Sequence, residues 1–166
     1  MTVIAAKVGK KGIVMSCDSQ MSRGWHTKST GYQDKIIEGS DFMIGVSGSA
    51  LLMPLLTMYA KNHPIGEGGI DRVTEWCLEF LDFCKKKTDS WNQNGQLILA
   101  HHSGLYAIEE WLPLKVSDFC ATGSGYQYAE AAMYLGKTTS EAVDVAIHMA
   151  YGCGGDVVTK EIALAP

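Results

Sequence analysis

Residue 2 of this chain is a threonine behind a methionine, and that pair holds the sharpest chemical potential in the sequence. Aminopeptidases remove an initial methionine when the next residue is small, and threonine qualifies. The product would carry a hydroxyl and a free α-amine on one residue. An α-amine has an ordinary pKa of about 7.7–8.0, so near neutral pH a useful fraction is uncharged and can take a proton. A hydroxyl nucleophile, inert by itself, would then have its base without any histidine. Taken alone, Met1-Thr2 equally suits a β-branched residue that opens a strand. Other reactive patterns fall short. Gly123-Ser124-Gly125 lacks the third glycine and the Lys-Ser ending of a phosphate loop, and Gly45-Val46-Ser47-Gly48 is one residue short of a Gly-x-Ser-x-Gly elbow. His101, His102, His148 and Cys153 lack the spacing of a zinc site. His101-His102 reads instead as a solvated hairpin tip.

A nucleophile at residue 2 needs a rigid element to hold it, and the sequence supplies a strand, Thr2 to Val8. The turn Gly9-Lys10-Lys11-Gly12 reverses the chain into a second strand, Ile13 to Cys17. Asp18 to Gln33 is polar, contains Gly24 and Gly31, and reads mainly as loop. Lys35–Glu38 and Phe42–Ser47 form a second hairpin about Gly39-Ser40-Asp41. A helix follows from Ala50 to Lys61, with Pro54 acceptable only in its first turn. Val73, Trp76, Cys77, Phe80, Leu81 and Cys84 then mark one stripe of a second helix. Strands return at Gln96–Ala100, Gly104–Glu109 and Asp118–Thr122. Helices are expected at Tyr126–Leu135 and Thr139–Tyr151, the latter with Thr138 and Glu141 as a capping box and Gly152 as its C-terminal cap. A strand from Asp156 to Ile162 ends the pattern. This order predicts an α+β chain forming one domain over residues 1–166, with two antiparallel sheets face to face and helices outside.

Composition narrows the function classes. The 166 residues are 46% hydrophobic and 19% charged, with a formal charge of −4. A nucleic-acid binder would need a basic face, and the one like-charge run, Lys85-Lys86-Lys87, suits the C-terminal end of a helix. No apolar run reaches membrane length and nothing reads as a signal peptide. Five cysteines without a Cys-x-x-Cys pair point to buried free thiols in a reduced compartment, hence a cytoplasmic protein with no membrane or nucleic-acid partner.

The strand Thr2-Val3-Ile4-Ala5-Ala6-Lys7-Val8, followed by Gly12-Ile13-Val14-Met15-Ser16-Cys17-Asp18-Ser19, closely resembles the opening of proteasome β-subunits and HslV. The resemblance continues through Ser22, Gly24 and Lys35-Ile36-Ile37-Glu38. It returns at Gly45-Val46-Ser47-Gly48-Ser49-Ala50, and again at Ala121-Thr122-Gly123-Ser124-Gly125-Tyr126 with Tyr128-Ala129-Glu130-Ala131-Ala132. Each motif is short, but the ordered set spans nearly the whole chain. It implies the four-layer αββα sandwich of the N-terminal nucleophile hydrolases.

The same resemblance implies roles. Thr2 would be the nucleophile of a threonine peptidase, Lys35 would ease loss of its hydroxyl proton, and Asp18 would hold that lysine. The Gly48 N–H would stabilise the oxyanion, and Ser124 would support the α-amine. Lys28 is a rival for the lysine role, but the apolar run after Lys35 favours the latter. The backbones around Ser22 and Gly48 would pair with an extended peptide, while Met21, Val46 and Ala50 would line the pocket for the residue before the cut. No cofactor is implied, although relatives bind a structural cation in the loop corresponding to Tyr151–Val158. Stacked homo-oligomeric rings, a dodecamer or tetradecamer, would enclose the sites and receive unfolded protein from an AAA+ unfoldase. The alternative is a ring subunit that keeps Met1 and serves as a non-catalytic scaffold.

Overall fold

The structure, a computed structural model, describes residues 2–23, 27–32, 34–89 and 95–164, with backbone alone for the described residues between 22 and 32. Strands β1 (Ile4–Val8), β2 (Gly12–Asp18), β3 (Gln20–Arg23), β4 (Thr27–Tyr32), β5 (Ile36–Glu38) and β6 (Phe42–Gly48) come first. Helices α1 (Leu52–Ala60) and α2 (Gly69–Lys87) follow, then β7 (Gly95–His101), β8 (Gly104–Glu109), β9 (Leu112–Val116) and β10 (Phe119–Thr122). Helices α3 (Tyr126–Tyr134) and α4 (Thr139–Met149) precede the last strand, β11 (Val157–Ala163). Among the described residues the strands form two large antiparallel sheets, in the orders β10-β1-β2-β11 and β5-β6-β7-β8-β9, and a two-stranded β3-β4 ribbon.

Alternation along the strands builds the layers. On β1, Ile4 and Ala6 face the second sheet, whereas Ala5, like Val3 just before it, packs on α3 and α4. On β6, Phe42, Ile44 and Val46 meet α1 and α2, while Met43 points to the first sheet. Three apolar layers therefore separate four structural ones in the order helices, sheet, sheet, helices. The two sheets approach closely at Gly45, where an added Cβ would lie 2.6 Å from Ile4 Cγ2 and 2.9 Å from Met15 Sδ.

The expected elements appear with several corrections. Residues 18–33, read as loop, contain the β3–β4 hairpin. β9 was not expected. It forms one edge of its sheet, and there Pro113, which has no N–H to donate, interrupts no central ladder. Pro54 falls in the first turn of α1, and α2 ends on Lys85, Lys86 and Lys87. The capping box of α4 is formed, with Thr138 N donating to Glu141 Oε2 at 2.9 Å and Glu141 N to Thr138 Oγ1 at 3.2 Å. That helix nevertheless stops at Met149, with extended Ala150 rather than Gly152 as its cap. All five cysteines are free and buried. Among the described residues, no helix is long and apolar enough to cross a membrane, and no group of three or more His, Cys, Asp or Glu could hold a metal ion.

His101 corrects the solvated-tip reading. It is 0% exposed, because it belongs to β7 rather than to the turn. Its Nδ1 lies 2.7 Å from Ser103 Oγ, and its Nε2 is 3.6 Å from Asp41 Oδ2. Burial pushes its pKa below the ordinary 6.5, helped by neighbouring His102 and opposed by Asp41. The unfolded chain therefore takes up the proton first as pH falls. The associated stability is complete above about pH 6.5 and is lost as pH drops toward the folded value. Urea midpoints measured between pH 7 and pH 5 should fall more steeply for the wild type than for His101→Gln; equal slopes would refute this assignment.

Candidate active site

Thr2 precedes β1, and its position is set by the turn between β10 and α3. The Gly125 N–H donates to Thr2 O at 3.2 Å, and Ser124 Oγ donates to the same carbonyl at 3.3 Å. Thr2 N in turn donates to Ser124 Oγ at 3.2 Å. Gly123 makes this contact feasible. Its φ is +88°, and a Cβ there would lie 2.3 Å from Thr2 O. Ser124 Oγ also sits 3.8 Å from Cys153 Sγ. The Cys153 thiol pKa is pushed up, first by burial and then by Asp18, against the lowering effects of Ser124 and Lys35.

Asp18, the last residue of β2, is fully buried. Its Oδ1 accepts from Lys35 Nζ at 2.6 Å and from Val3 N at 2.9 Å, and its Oδ2 accepts from Gly154 N at 3.1 Å. The Lys35 side chain is only 6% exposed. Lysine ammonium and the amide that follows Thr2 therefore share one acceptor oxygen. Such a pair is sustained in the interior only when hydrogen bonds satisfy the remaining lone pairs, as they do here. The backbone of Asp18 is tied to the same place through its N–H to Val3 O at 3.2 Å.

Beside Thr2 opens a cavity of about 530 Å³ lined by Thr2, Ser47, Gly48, Gly95, Gln96, Gly123, Ser124 and Tyr126. Gly48 ends β6 with φ +119°, a conformation few other residues adopt. Thr2, Gly48 and Ser124 thus share one cavity, and the Asp18–Lys35 pair lies behind the start of β1. The three residues proposed from sequence for the pocket before the cut, Met21, Val46 and Ala50, are not among the residues that line this cavity. Met21 is 38% exposed on β3, and Ala50 lies in the exposed turn before α1. The Ser22 side chain and the whole of Gly24 lie outside the described residues, as does the Lys28 side chain. Val46, at 4% exposure, packs among the residues facing α1 and α2, because its place on β6 turns it away from the first sheet. Sequence reasoning missed Ser47, Gln96 and Tyr126 as cavity residues and Gly154 as a partner of Asp18. The run Gly152-Cys153-Gly154-Gly155, three glycines around a thiol, was the one available signal for the last of these.

The architecture has counterparts of known structure. Thiobacillus denitrificans BPH superposes with a TM-score of 0.84 at 20% identity, covering 99% of each chain. The same protein in complex with epoxomicin gives a TM-score of 0.86 at 20% identity, over 99% of this chain and 100% of that one. Eukaryotic HslV from Trypanosoma brucei gives 0.70 at 16% identity, over 98% of this chain and 99% of that one. This is the proteasome-like N-terminal nucleophile hydrolase fold. The sequence itself matches no family model and no curated protein. The proteasome-like sandwich extends over almost the full chain, so none of the site described above falls outside it.

Asp18→Asn should cost about 3–5 kcal/mol, because it leaves a buried ammonium without its counter-charge. Adding Lys35→Met should restore much of the loss, as read from urea unfolding. If the double variant shows the sum of the two single losses, the pair is not coupled.

Proposed function

We propose that this chain is a threonine-type endopeptidase whose nucleophile is Thr2 after removal of Met1. The observation that carries the reading is the shared carboxylate oxygen of Asp18, which joins Lys35 to the start of β1 behind a cavity containing Thr2, Gly48 and Ser124. The solved epoxomicin complex of a protein with the same fold adds support.

In this reading Thr2 Oγ attacks the scissile carbonyl while its proton passes to the α-amine of the same residue. The Lys35 ammonium, ion-paired with Asp18, favours the alkoxide character that develops on Oγ. The Gly48 N–H donates to the oxyanion, a role that suits a residue with no side chain to obstruct the substrate's approach. The C–N bond then breaks, the leaving amine takes the proton, and an ester remains on Thr2. Water activated by the α-amine hydrolyses the ester. Ser124, within hydrogen-bonding distance of Thr2 N, keeps the amine's lone pair directed. The chemistry draws on the chain's own groups. The acyl half of the substrate runs extended beside the backbones near Ser22 and Gly48. We further infer a cytoplasmic, homo-oligomeric ring assembly that takes unfolded polypeptide from an AAA+ unfoldase.

Intact mass of the cellular protein should be lower by one methionine. A threonine-directed epoxyketone should modify residue 2, and Thr2→Ala should lose both this adduct and at least about 10³-fold in peptide hydrolysis. A Thr2→Ala variant that still cleaves would sink the assignment. Retention of Met1 with no adduct would favour the scaffold alternative.

A further inference from the structure

The cavity beside Thr2 has one polar wall that the reaction does not use. Ser47 and Gln96 sit opposite each other in the β6–β7 ladder, and Thr122 ends β10 in the facing sheet. Along these strands the inward positions Met43, Ile98, Ala100 and Cys120 belong to the core between the sheets. At the mouth the same alternation brings three hydrogen-bonding side chains together. Ser47 Oγ donates to Gln96 O at 3.2 Å and lies 3.4 Å from Thr122 Oγ1. Thr122 Oγ1 donates to Gln96 Oε1 at 2.9 Å. Ser47 and Thr122 are buried at 6% and 7% exposure, whereas Gln96 is exposed and lines the cavity. With its oxygen engaged by Thr122, the amide of Gln96 presents its N–H groups to whatever enters.

The position of this wall gives it a side. β6 has β5 on one flank, with Lys35 just before that strand, and β7 on the other. The cavity is lined from β7 by Gly95 and Gln96 and from the β10–α3 turn by Gly123 and Ser124, and neither Met21 nor Lys35 lines it. On the peptidase reading, the acyl half of the substrate occupies the side of β3 and Ala50. The half that departs must then lie on the β7 side.

We propose that Gln96, held by Thr122 and Ser47, forms a leaving-group subsite that selects hydrogen-bond-accepting side chains at the residue immediately after the cut. This rests on the peptidase reading. Tyr126, 42% exposed, also lines the cavity and offers a flat aromatic face, so the subsite suits a short polar side chain such as asparagine or aspartate.

The test uses the Met1-processed full chain and internally quenched peptides identical up to the cut, with Asn, Asp, Lys or Leu next. Wild type should favour Asn and Asp over Leu by roughly three- to tenfold in kcat/KM, the order of one neutral hydrogen bond. In Gln96→Leu that ratio should fall to about one. In Gln96→Glu, where the donor becomes an acceptor, preference should turn toward Lys, an inversion that mere structural damage would not produce. Unchanged ratios in both variants, with the epoxyketone still labelling Thr2, would overturn the subsite and leave the peptidase standing. Absence of both labelling and cleavage in the wild type would overturn the peptidase reading, and the subsite with it.

Discussion

A carboxylate with no access to water governs the geometry of this protein. Asp18 has two oxygens and three donors, and those donors come from distant parts of the chain: the amide opening β1, a lysine entering the second sheet, and a backbone N–H in the approach to β11. None of the three can move independently, because each displacement leaves a buried charge or lone pair unsatisfied. The interior of one sheet, the edge of the other and the final turn are therefore fixed against one another at a single point. Thr2 is one residue from that point.

The two sheets do the rest through register. Where they face each other along their length, the inward positions are apolar and closely packed, with Gly45 giving room to Ile4 and Met15. Toward the Thr2 end the same positions change chemistry to Ser47, Gln96 and Thr122, and the cavity opens there. An apolar core that stops short at one end yields a cleft with polar walls, without any separate element devoted to making it.

Much of the fold was legible because its signals are periodic. The stripe from Val73 to Cys84 can be read only as a buried helix face, and Phe80, Trp76 and Tyr59 duly form an aromatic cluster. The β3–β4 hairpin was not legible, since the sequences Gln20–Arg23 and Thr27–Tyr32 are mostly polar and contain no apolar alternation to read. β9 escaped for a related reason, with Pro113 signalling a break where an edge strand tolerates one. In the site, Thr2, Gly48 and Ser124 were legible as short motifs and do line a common cavity. The packing of Val46 against the helices was not legible, because identity and neighbours do not reveal which face of a strand a residue takes; only register does. Gln96 was overlooked for the converse reason, being one polar residue at the mouth of an otherwise apolar strand.

The hold on Thr2 acts on its carbonyl, through Gly125 and Ser124, and on the next amide, through Asp18. These anchors lie on the C-terminal side of its Cα, and the Ser124 contact to Thr2 N can be kept by an amide or by an amine. The seat of Thr2 is thus built from its C-terminal side. On the proposed reading, folding and removal of Met1 become events whose order is free. Under the proposed chemistry a chain that folds first would be a finished but latent enzyme, armed by cutting a single peptide bond and with no rearrangement of its interior.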